Sequence, residues 1–103
     1  MAVDLSEATR RRLDLLFVEG DRAEAAALLA ADCADNLPFY DEATSASLER
    51  VRFAALKLSG GDLAKLVDAI ALAQTDWRDL LVVAGFSEDT RAHESWWPGE
   101  KDG

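Results

Sequence analysis

The chain has 103 residues, half of them hydrophobic and 30% charged, with a formal net charge of −9. That balance supports one folded domain, residues 1–103, with a modest core, and argues against extended disorder. An acidic surface repels phosphate backbones and anionic membranes, and no apolar run approaches a membrane span, so nucleic-acid binding and membrane insertion are both disfavoured.

The acid is unevenly spread: residues 21–42 carry −5 and residues 75–103 carry −4, whereas 43–74 carry +1. Such charge keeps a small protein soluble and would also suit a basic partner. Cys33 is the single cysteine, so no internal disulfide can form. Met1-Ala2-Val3-Asp4 has neither the basic start nor the apolar run of an export signal, and a reducing cytoplasm is the expected compartment.

In chain order, the first helix is expected to open at Asp4 or Ser6, where Asp4-Leu5-Ser6-Glu7 fits a capping box. Its apolar face takes Leu5, Ala8, Leu13, Leu16 and Phe17, and Arg10-Arg11-Arg12 reads as a solvated basic stretch. Gly20 suits the left-handed position past a helix end. Asp21-Arg22-Ala23-Glu24 then reads as a second capping box, opening an alanine-rich helix that forms a tight hairpin with the first. Pro38 ends this helix before Leu37, with Phe39 and Tyr40 folded over a core edge.

A third helix from Thr44 or Ser45 to Ser59 is apolar on much of its circumference and should be central. Gly60-Gly61 stops it. Asp62 caps a fourth helix whose stripe is Leu63, Leu66, Val67, Ile70 and Ala73. Thr75 is the expected cap of a fifth, with Trp77, Leu80, Leu81 and Ala84 buried and Gly85-Phe86 forming a Schellman closure. Ser87 or Asp89 could cap a short helix to about Glu94, followed by a frayed tail; across residues 87–103 the helical pattern fades. The Gly-Asp pairs at Gly20-Asp21 and Gly61-Asp62 suggest two similar hairpin joints. The fold class is therefore all-α: a compact bundle of five to six short helices built from tight helix hairpins. Its expected core is Leu13, Leu16, Phe17, Leu28, Leu29, Val51, Phe53, Ala55, Leu58, Leu66, Ile70, Trp77, Leu81 and Phe86.

The run Leu56-Lys57-Leu58-Ser59-Gly60-Gly61-Asp62-Leu63-Ala64-Lys65-Leu66, then Asp76-Trp77-Arg78-Asp79-Leu80-Leu81-Val82-Val83-Ala84-Gly85-Phe86, with His93 and Trp97 downstream, resembles a family of small uncharacterised bacterial proteins. The resemblance covers roughly the C-terminal half. It implies a bacterial source, and it carries no activity, cofactor or site residue with it.

Chemistry is sparse. Asp89 and His93, four apart, would share a helix face, with Glu94 adjacent, but no paired metal-ligand motif accompanies them. They are the metal or acid–base candidates, and no cofactor is expected. Cys33 lies between Asp32 and Asp35, whose charge would blunt its thiolate. A helix-turn-helix reading of helices four and five fails because the would-be reading helix begins Asp76-Trp77-Arg78-Asp79. Trp96 and Trp97 are adjacent and cannot both face one core from a regular element, so either both plug the end of the bundle, the favoured reading, or one docks and leaves the other as an interface anchor. Arg50 and Arg52, between acidic segments, are the other interaction candidates. The leading expectation is a small non-catalytic interaction or regulatory module with a protein partner, or a homodimer. The alternative is a minor enzyme or metal-binding protein using His93 with Asp89 or Glu94.

Overall fold

The computed structural model describes residues 5–32, 45–86 and 92–98. Among them are four α-helices and one 3-10 turn: α1 (Glu7–Leu16), α2 (Glu19–Asp32), α3 (Ser45–Ser59), α4 (Leu63–Ala84) and the turn Ala92–Ser95. The expectations placed on Asp4, Cys33, Pro38, Phe39, Tyr40, Ser87 and Asp89 fall outside the described residues.

Ser6 caps α1, its hydroxyl accepting from the Thr9 amide at 3.1 Å. Glu7 is turned along the helix instead, pairing with Arg11 at 2.7 Å. The exit from α1 differs from expectation. Phe17 is extended (φ −98°, ψ 141°) and α2 begins at Glu19, so Gly20 and Asp21 lie inside its first turn. Gly20 has no positive φ, and the chain reverses on Phe17 and Val18 alone. At the α3–α4 joint, by contrast, Gly60 and Gly61 both have positive φ (57° and 90°). Asp62 then caps α4 by accepting from Ala64 and Lys65. The two Gly-Asp joints are thus built differently.

The helices expected as the fourth and fifth are the two halves of α4, which meet at the non-helical Asp76 (φ −153°, ψ 88°). Asp76 rather than Thr75 caps the second half, its carboxylate accepting from the Asp79 amide at 3.3 Å. The Thr75 hydroxyl donates back to the Ala71 carbonyl. At the far end the Schellman closure forms as expected, with Phe86 N–H donating to Leu81 and Gly85 N–H to Val82.

α3 is the central element. It packs on α1, α4 and the 3-10 turn, and Val51 to Leu56 are buried without interruption. The core joins Leu13 and Phe17 of α1, Ala25 and Leu29 of α2, Val51, Phe53 and Leu56 of α3, and Leu66, Ile70, Ala73, Leu80 and Leu81 of α4, closed by Phe86. Leu16, Leu28, Leu58 and Trp77, expected in the core, are only partly buried against it.

Neither α1 nor α4 has a basic residue in its last turn. Cations from neighbouring helices serve their terminal carbonyls instead. Arg22 of α2 donates to the carbonyls of Phe17 (3.0 Å) and Asp14 (2.9 Å) at the end of α1. Lys57 of α3 donates to Ala84 (2.8 Å), and Arg50 of α3 to Phe86, at the end of α4. Positive charge at a helix C-terminus is favoured by the dipole and satisfies carbonyls left without helical partners. No helix among the described residues is long and apolar enough to cross a membrane.

Candidate interaction cleft

The cleft is organised by Arg12, a residue with no distinguishing motif around it. α1 turns Thr9, Arg12 and Leu13 inward. Arg12 is 3% exposed, which overturns its reading as part of a solvated basic stretch, whereas Arg10 and Arg11 are exposed. Leu5, Thr9, Arg12 and Leu16 lie on one helical stripe, and that spacing was the available signal. The Arg12 guanidinium lies against two rings, 4.2 Å from the Phe53 centroid and 3.7 Å from that of Trp97. It donates to the Trp96 carbonyl (2.9 Å), the Ala8 carbonyl (3.0 Å) and the Glu94 carbonyl (3.2 Å). Burial lowers its pKa and Glu49 opposes that; a guanidinium nevertheless stays charged at neutral pH. Arg12 thereby ties the C-terminal segment to the first helix.

Trp96 and Trp97 are both half-buried. The Trp96 ring is tilted against Phe53 and Phe86, at 6.2 and 6.3 Å between centroids, while Trp97 covers Arg12. Because the segment around them is a single 3-10 turn followed by irregular backbone, adjacent side chains can both reach the bundle. His93 is 2% exposed and meets Phe53 edge-on at 5.2 Å and Phe86 at 6.3 Å. Its Nδ1 is buried with no hydrogen-bond partner among the described residues. Burial pushes the imidazole below its ordinary range, helped by Arg50 and Arg12, while Glu49 and Glu94 pull the other way.

Beside the Arg12 stack is an open cleft of about 350 Å³. Ala8, Phe53 and Trp97 supply its apolar lining, and Glu7, Glu49 and Glu94 also line it. Glu49 is fixed from α1, accepting a hydrogen bond from the Ser6 hydroxyl. Arg11, paired with Glu7, and the Arg12 guanidinium complete the wall.

Of the candidates read from sequence, Trp97 lines this cleft and Trp96 packs next to it. Arg50 is directed to the end of α4, and Arg52 is buried on α3 at 3% exposure. His93 is enclosed behind the cleft rather than lining it. Among the described residues, no group of three or more His, Cys, Asp or Glu side chains is placed to hold a metal ion. No family model matches the chain, and neither a curated protein nor a solved structure matches it.

Proposed function

We propose that this chain is a small non-catalytic interaction module that docks a basic segment of a partner protein in the Glu7–Glu49–Glu94 cleft. The observation that carries this reading is that three glutamates from three elements line one cleft together with Phe53 and Trp97. A lysine or arginine side chain suits such a site, its charged head meeting the carboxylates and its aliphatic stem the rings. The chain's charge of −9 would steer a basic partner towards it. Exposed ion pairs are each worth only about 0–1 kcal/mol, so docking through this cleft alone is weak, transient and salt-sensitive. A bacterial cytoplasm is the proposed setting, on the resemblance of the C-terminal half and the single cysteine.

The test is binding of lysine- and arginine-rich peptides, with acidic peptides as controls, to the wild-type protein and to a Glu49→Gln/Glu94→Gln variant. Glutamine preserves side-chain size and the acceptor for Ser6, so the fold is retained. Binding of basic peptides that weakens in the variant and with added salt supports the module. Equal binding by both proteins, or none by either, removes it. Measuring molecular mass over the same concentrations tests for a second copy as the occupant.

The tryptophans are poorer test positions. Truncating Trp97 uncovers Arg12, and truncating Trp96 uncovers Phe53 and Phe86, so either change disturbs folding as well as any interface.

A further inference from the structure

We propose that residues 92–98 form a proton-released clasp over the bundle, with His93 as its sensor, whose opening dismantles the docking cleft. The inference rests on the docking reading for its biological role, although the clasp itself does not depend on it.

The geometry has three parts. First, the segment is joined to the bundle by hydrogen bonds from the Arg12 guanidinium to the Trp96 and Glu94 carbonyls, by the packing of His93 and Trp96 on Phe53 and Phe86, and by the stacking of Trp97 on Arg12. Second, the same segment supplies Glu94 and Trp97 to the cleft, so the cleft exists only while the clasp is closed. Third, the clasp is anchored by an enclosed titratable ring whose Nδ1 has no acceptor among the described residues.

A neutral imidazole tolerates that position by carrying its proton on Nε2 and leaving Nδ1 bare. Protonation places an N–H and a positive charge at a buried Nδ1 that no described residue is placed to accept from. The charged groups around the ring come from three elements. Arg12 of α1 and Arg50 of α3 oppose protonation, whereas Glu49 of α3 and Glu94 of the clasp favour it; burial is the largest influence. Lys57 of α3 adds a further cation against Phe86, 5.0 Å from the Phe86 ring centroid. Release of the segment lets the imidazolium reach water. Acidification below the ordinary histidine range therefore favours the open clasp, in which Phe53 and Phe86 lose their cover.

His93 is the only histidine in the chain, so its titration can be followed without ambiguity. Ring resonances of His93 and the indole N–H resonances of Trp96 and Trp97 would be recorded by NMR from about pH 7.5 to about pH 5 on the free protein. A Trp77→Phe variant identifies the third indole. The expected result is an imidazole midpoint below the ordinary value of about 6.5, with both indoles moving to their solvent-exposed positions and losing exchange protection at that same midpoint. His93→Phe keeps an aromatic ring on Phe53 and Phe86 but cannot titrate, and its indoles should stay in place over the range. Indoles that do not follow the histidine, or that move equally in His93→Phe, overturn the proposal. Because no peptide is present, failure here leaves the docking reading standing. A clasp that opens in a protein that binds no basic peptide removes only the docking role.

Discussion

The Arg12 guanidinium lies 3.7 Å from the centre of the Trp97 ring, joining the first helix to the last described segment. Arg12 acts there as a structural tie more than as a surface charge, since it is buried and three of its donors go to backbone carbonyls. Lysine is a poor replacement, because a single ammonium cannot serve carbonyls of α1 and the clasp together while lying flat on two rings. Arg12→Lys is expected to cost about 1.5–3 kcal/mol in urea unfolding. It should also raise amide exchange in residues 92–97 more than in α4. Wild-type stability in this variant would mean that the tie contributes little.

Gly60 and Gly61 are adjacent and both left-handed, yet they should respond differently to alanine. A Cβ on Gly61 would come 2.5 Å from the Leu16 carbonyl oxygen, whereas one on Gly60 would meet nothing within 4 Å. Gly60→Ala should therefore cost about 1–2 kcal/mol, from the left-handed backbone alone. Gly61→Ala adds a backbone clash with the end of α1 and should cost more, about 3 kcal/mol or above. Thermal unfolding of the pair measures the difference, and equal losses would show that the α1 end moves away without penalty.

Asp76 marks the break in α4 and caps the second half of that helix. Asp76→Ala should lose about 1 kcal/mol, and Asp76→Asn, which keeps an accepting oxygen, much less. Thr75→Ala should fall well short of Asp76→Ala, because its hydroxyl only bonds back to Ala71. Circular dichroism during denaturation distinguishes these; a larger effect at Thr75 would move the cap back to that residue.

Phe53 touches Arg12, His93 and Trp96 at once. Phe53→Ala is expected to destabilise the protein by about 3–5 kcal/mol. Phe53→Leu should retain most of the core but loosen the clasp, because an aliphatic side chain offers no ring face to the guanidinium. Exchange protection of the Trp96 amide, which donates to the His93 carbonyl at 3.1 Å, reports the second effect separately from global stability.

Stability should depend on pH through His93 in a definite direction. Its folded-state pKa is lowered by burial, so the unfolded chain binds the proton more readily. The contribution of the neutral buried ring is complete above about pH 6.5, falls as pH drops from there towards the folded-state value, and levels off below it. Subtracting the unfolding free energy of His93→Phe from that of wild type at each pH isolates this slope. A flat difference would mean that the imidazole titrates normally in the folded protein.

Much of the architecture could be read locally. Asp62, the Gly60-Gly61 stop and the Gly85-Phe86 closure act through backbone groups within a few residues, so residue type and spacing suffice to place them. The centrality of α3 followed from its apolar circumference. The break at Asp76 was legible as a start signal, but whether it separates two helices or bends one depends on what both halves pack against. Gly20 misled because glycine is also accommodated in a helical first turn, and the reversal was taken up by Phe17 and Val18.

An acidic, all-helical chain with most of its helix starts and stops was legible residue by residue, because capping and amphipathic periodicity are short-range. The destinations of the cations were not, and they emerged only from packing. Arg12, Arg22, Arg50 and Lys57 each reach carbonyls on another element or across a helix joint. A long flexible side chain in sequence looks the same whether it ends in water or on a helix terminus; its partner is fixed only when packing brings that terminus within reach. The cleft has the same origin, since Glu7, Glu49 and Glu94 are ordinary surface acids until α1, α3 and the clasp meet around Phe53.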